Sequence, residues 1–96
     1  MILEQATLHI KPGQSKDFEA SFAKARKIIE ASKGFQKIEV RACIETPDRY
    51  LLLVWWDSLD DHIVGFRQSP AFHEWRALTA PFYVELPDVK HFEAPL

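Results

Sequence analysis

The stretch Arg49-Tyr50-Leu51-Leu52-Leu53-Val54-Trp55-Trp56 decides the fold. It is rich in aromatic and aliphatic residues and does not alternate with polar ones. It therefore reads as a strand that is apolar on both faces, with Trp55 and Trp56 pointing opposite ways. Immediately upstream, Thr46-Pro47-Asp48 turns the chain. Before that turn, Phe35 to Glu45 alternates: Ile38, Val40, Ala42 and Ile44 share one face, and Lys37, Glu39, Arg41 and Cys43 the other. The two runs form a predicted hairpin. Further back, Leu3 to Ile10 reads as a strand with Ala6, Leu8 and Ile10 on one face and Gln5, Thr7 and His9 on the other. Lys11-Pro12-Gly13 then turns the chain into a helix. Ser15 is its expected N-cap, and Asp17 and Glu19 sit in the first turn, where the helix dipole favours acids. Phe18, Phe22, Ala25 and Ile29 follow on one face, and Lys33-Gly34 ends the helix.

Downstream of Trp56, Ser58 opens a helix with Asp61 as its capping-box partner. Leu59, Ile63 and Phe66 are its expected apolar stripe. Ser69-Pro70 restarts the helix, with Pro at the first helical position, where its missing N–H is harmless. Phe72, Trp75 and Leu78 carry the buried face onward, and Pro81 stops it. Val84 to Phe92 is the expected fourth strand, placed at a sheet edge or bulge by Pro87. The order β-α-β-β-α-β predicts an α+β, ferredoxin-like domain spanning residues 1–96, with an antiparallel sheet and both helices on one face. Helices on one side leave the second apolar face of the third strand uncovered. A second copy of the chain packed sheet against sheet resolves this, so a homodimer is expected.

Composition narrows the function. The 96 residues suit one domain. Lys plus Arg is 12 and Asp plus Glu is 14, so the net charge is 12 − 14 = −2. That balance argues against a dedicated nucleic-acid binder. No apolar run approaches the roughly 18 residues of a membrane span, so no membrane partner is expected. The single cysteine, Cys43, leaves no internal disulfide or zinc-finger spacing. No basic start followed by a long apolar run marks a secretory signal, and a cytoplasmic location is expected. The 7 Phe, 3 Trp and 2 Tyr are numerous enough to wall an apolar pocket or interface.

The run Val54-Trp55-Trp56-Asp57-Ser58, then His62-Ile63-Val64-Gly65-Phe66-Arg67-Gln68-Ser69-Pro70-Ala71-Phe72, resembles the antibiotic biosynthesis monooxygenase family. The shared features are a Trp-x-Ser strand end, an amphipathic helix and a Ser/Thr-Pro break before a second helical piece; the Lys11-Pro12-Gly13 turn also fits. The resemblance covers essentially the whole chain. It implies a dimeric α/β barrel with a cavity between each sheet and its own helices. It also implies oxidation of an aromatic polyketide, phenol or quinol by molecular oxygen, with no cofactor and no metal. The family's haem-degrading branch carries an asparagine, a tryptophan and a histidine at positions that align with Ala6, Phe66 and Arg76, so the axial ligand is missing here. The mid-helix histidine of quinol-oxidising members aligns with Phe66.

Within this frame His62 is the candidate general base, since imidazole titrates near neutral pH. Tyr83 is the second candidate catalytic group, because a buried hydroxyl needs a partner. Trp56, Phe22, Phe66, Phe72 and Trp75 are the candidate substrate-binding walls. His9, Glu39 and Arg41 read as surface or interface polar groups, His73 and His91 as surface residues, and Cys43 as a small structural residue. Two functions compete. One is a cofactor-independent monooxygenase acting on a planar aromatic; the other is a non-catalytic stress-response or small-ligand-binding protein on the same dimeric barrel.

Overall fold

A computed structural model describes residues 1–96. Its elements are β1 (Ile2–His9), α1 (Ser15–Glu30), β2 (Phe35–Ala42), β3 (Arg49–Trp56), a π-helical segment (Asp61–Phe66), α2 (Pro70–Thr79), a 3₁₀ turn (Ala80–Phe82) and β4 (Val89–Phe92). The strands form one antiparallel sheet in the order β2-β3-β1-β4. This is the expected ferredoxin-like α+β topology.

Strand register sorts the side chains onto two faces. Leu3 pairs with Trp55, Gln5 with Leu53, Thr7 with Leu51 and Leu3 again with Phe92. Those residues share the outer face, with Lys37, Glu39 and Arg41 of β2 beside them. The inner face carries Ala6, Leu8, Ile38, Tyr50, Leu52, Val54 and Trp56, all buried. Phe18, Phe22, Ala25 and Ile29 of α1 close over it, as their spacing predicts. Burying each large apolar side chain contributes roughly 1.5–3 kcal/mol. Strand β3 thus alternates in burial although its sequence does not: Leu51, Leu53 and Trp55 stay half-exposed.

Several expectations need correction. Ser15 is the first residue of α1 rather than its cap. Its hydroxyl donates to Asp48 Oδ1 at 2.5 Å and ties the helix start to the β2–β3 turn. Strand β2 stops at Ala42; the Cys43 N–H still bonds the carbonyl of Arg49, the first residue of β3, at 2.8 Å, and beyond it Ile44 is 94% exposed. Strand β4 begins at Val89, not Val84. Pro87 lacks the N–H a ladder needs, and the earlier piece is held separately by the Val84 N–H to His9 carbonyl bond of 2.8 Å. No helix is long and apolar enough to cross a membrane.

The largest departure follows Ser58. The hydroxyl of Ser58 accepts from the Asp61 N–H at 3.2 Å and donates to the Asp61 carboxylate at 3.0 Å, as the capping pair predicts. The next turn then widens to π geometry, with the Arg67 N–H bonding to the His62 carbonyl at 2.9 Å. His62 and Phe66 turn inward together, and Leu59 is left 41% exposed. After the Arg67-Gln68 turn, Ser69 and Pro70 start α2 in a new direction.

Candidate active site

The change of direction at Ser69-Pro70 leaves a cavity of about 180 Å³ between the inner sheet face and the helices. Ala6, Leu8, Leu52 and Val89 form its sheet side; Phe66, Phe72, Trp75 and Thr79 form its helical side. Phe66 meets Phe72 edge to face at 5.6 Å and Trp75 at 6.2 Å, so the aromatic wall is continuous. Tyr83, Arg67 and Arg76 also line the cavity. Both arginines are exposed at its mouth, and neither pairs with a carboxylate.

One end of the cavity is polar. Glu4 of β1 and His62 of the π-helical segment line it and are only 5% and 3% exposed. The Trp56 Nε1–H donates to Glu4 Oε1 at 2.9 Å, and His62 Nε2 lies 3.3 Å from the same oxygen. His62 Nδ1 is 2.7 Å from Nε2 of His91 on β4. The Trp56 indole stacks on His62 with ring centres 5.2 Å apart and planes 20° apart. This packing fixes the imidazole.

Burial sets the protonation of the pair. It pushes the Glu4 carboxyl up to about 7, against the Trp56 hydrogen bond and the Arg67 charge, which both act downward. It pushes the His62 imidazole down to about 4, with His91 and Arg67 acting in the same direction. Between about pH 4 and pH 7 the pair is therefore a neutral acid beside a neutral imidazole. Two charges buried together would lose more in desolvation than their attraction returns. Burial likewise keeps the Tyr83 phenol protonated by raising its pKa, with the nearby Thr79 hydroxyl acting the other way. Glu4, His62 and His91 do not converge as metal ligands, because His62 turns a different nitrogen to each neighbour.

Of the residues singled out from sequence, His62, Tyr83, Phe66, Phe72 and Trp75 line the cavity. Trp56 does not: it is fully buried behind His62, where its N–H serves Glu4. Phe22 does not either, because its ring packs edge to face on Trp75 at 5.8 Å and against Phe18. His91 is not a surface residue of β4 but the partner of His62. Glu4 escaped the sequence reading altogether, yet two signals mark it. It has the same strand parity as Ala6, Leu8 and Ile10, so an acid stands on the apolar face of β1. His91 shares the parity of Val89 in the same way.

The family profile described as Antibiotic biosynthesis monooxygenase matches residues 1–78. The uncharacterized protein YczJ of Bacillus subtilis strain 168 is 44% identical over 93 residues, which cover 97% of this chain and 98% of that one. A crystal structure from Bordetella bronchiseptica, named as a candidate antibiotic biosynthesis monooxygenase, aligns with a TM-score of 0.94 at 40% identity, over 99% of this chain and 97% of its own. A similarly named protein from Nitrosomonas europaea aligns with a TM-score of 0.82 over 98% of each chain. At 13% identity it shows the shared fold alone.

Proposed function

The chain belongs to the antibiotic biosynthesis monooxygenase family, and from that premise we propose that it oxidises a one- or two-ring phenol or quinol with molecular oxygen, without a cofactor. The observation that carries this reading is the aromatic-walled cavity with a buried polar array at one end. Its volume of about 180 Å³ sets the substrate size. A dry cavity of about 150 Å³ holds benzene, so a fused system of three or more rings is too large. Phe66, Phe72 and Trp75 hold the ring and keep water away. The phenolic proton leaves to the array that contains His62, and the Tyr83 hydroxyl donates a hydrogen bond to the substrate oxygen. The phenolate then supplies the electrons that reduce oxygen. For a phenol with a free para position, one oxygen atom enters the ring and the other leaves as water, so phenol plus O2 gives para-quinone plus water. The active species is a homodimer formed through the outer sheet face, with one cavity in each subunit.

The test is oxygen uptake by the purified protein with a metal chelator present, using alpha-naphthol and hydroquinones as substrates. Uptake with one heavy-oxygen atom from labelled O2 in the product is expected. Tight binding of these phenols with no uptake overturns the enzymatic reading in favour of a small-ligand-binding protein.

A further inference from the structure

We propose that Glu4 is the residue that exchanges a proton with the bound phenol, through its Oε2 oxygen, and that Trp56 and His62 are positioning residues behind it. This rests on the phenol-oxidising reading above and names the group that carries its proton step.

Geometry carries the assignment. Both polar neighbours of the Glu4 carboxyl, Trp56 Nε1 and His62 Nε2, sit on Oε1. Oε2 has no partner in the protein. Arg49 Nε is the one sealed side-chain polar atom left without a hydrogen bond. The equally unpartnered Oε2 is therefore open, and Glu4 lines the cavity. His62, by contrast, has Nδ1 bonded to His91 at 2.7 Å and its Nε2 3.3 Å from Glu4 Oε1, so each of its nitrogens already faces a protein group. A carboxyl on an otherwise apolar strand face is costly to bury. A glutamine would satisfy the Trp56 N–H equally well, so that hydrogen bond does not account for an acid at this position. The charged and titratable groups around it are His62, His91, Arg67 and Arg76, with Tyr83 also on the cavity. Burial, against the Trp56 hydrogen bond and the Arg67 charge, holds the Glu4 carboxyl at about 7, the range in which one group both takes and returns a proton at neutral pH. In the step itself the phenolic O–H bond breaks and an Oε2–H bond forms, leaving the phenolate. After oxidation the proton departs with the water formed from O2.

Glu4→Gln keeps the shape and the acceptor for Trp56 while removing the proton acceptor. Far-ultraviolet circular dichroism and the melting temperature check that it folds. With alpha-naphthol, wild-type uptake is expected to rise as pH increases through about 7. In Glu4→Gln uptake falls at least about 100-fold, and the rise with pH disappears. His62→Gln retains uptake with a displaced pH midpoint, which a purely structural role would not produce. Wild-type rates or an unchanged pH profile in a folded Glu4→Gln overturn the proposal. If the wild type oxidises no phenol, the functional reading fails and the ionisation of bound para-nitrophenol decides Glu4 separately. A change in its midpoint of about one pH unit or more on Glu4→Gln supports the proton exchange. An unchanged midpoint, or no binding to the wild type, overturns it.

Discussion

Glu4 and His62 touch, and their pKa values are displaced in opposite directions, with consequences for stability. The Glu4 pKa rises from 4.5 to about 7 on folding. Its contribution is fully present below 4.5 and is lost as pH rises through 7. The His62 pKa falls from 6.5 to about 4. Its contribution is fully present above 6.5 and is lost as pH falls through 4. Each is worth about 3 kcal/mol across its window. Over most of the range between, the folded pair holds one proton on Glu4 and the unfolded pair holds one on His62. The two slopes cancel, and the wild type is insensitive to pH on their account. Single substitutions unmask the parts. Glu4→Gln should lose about 3 kcal/mol between pH 6.5 and 4. His62→Gln should lose a similar amount as pH rises from 4.5 to 7. Urea unfolding of the three proteins across this range measures both slopes. Parallel curves for all three would show that the pair does not titrate as a unit.

At the scale of elements, the π-helical segment places His62, and the loop before β2 holds that segment in position. Gly34 sits there with φ +81°, and its carbonyl accepts from the Asp57 N–H at 2.8 Å. A Cβ at Gly34 would collide with the Asp61 carboxylate, the group that Ser58 anchors. Gly34→Ala should therefore cost about 1–2 kcal/mol from the left-handed backbone alone. It should also raise amide exchange across Asp61–Phe66, whereas unchanged exchange there would separate the loop from the site. Much of this scale is legible in the sequence. Periodicity and turn residues give the order of the strands and helices, because apolar spacing and the Pro12-Gly13, Pro47-Asp48 and Ser69-Pro70 breaks agree; the early start expected for β4 does not hold. The π turn is not legible, since a short apolar segment cannot separate wide from ordinary helical spacing. Ordinary helical spacing instead gives Leu59, Ile63 and Phe66 as the stripe. His62 was recognisable as a candidate, but its partners were not. Glu4 and His91 lie far apart in sequence and meet only through the β1–β4 register, Glu4 opposite His91.

The whole molecule is a slab measuring 35 × 34 × 19 Å. A sheet packed at about 10 Å from one helical layer accounts for the short dimension. Nothing in the chain covers the outer face, where Leu3, Leu51, Leu53, Trp55 and Phe92 lie together. Lys37 places its ammonium 5.1 Å from the Trp55 ring centre and also pairs with Glu39, which Arg41 contacts from the other side. The face is thus an apolar centre beside a strip of opposite charges, the pattern of an interface core and its rim. A second copy would bury on the order of 2,000 Å² in total. The protein should therefore sediment at twice 11.1 kDa. Leu53→Asp puts a charge at the centre of that face while leaving the inner core, Leu52 and Val54 included, intact. It should sediment as a folded monomer or aggregate through the exposed face. Val64→Asp, on the half-exposed helical side, should leave the mass unchanged. A wild-type chain that sediments as a single copy at micromolar concentration would remove the interface. The apolar outer half of β3 would then need a different occupant.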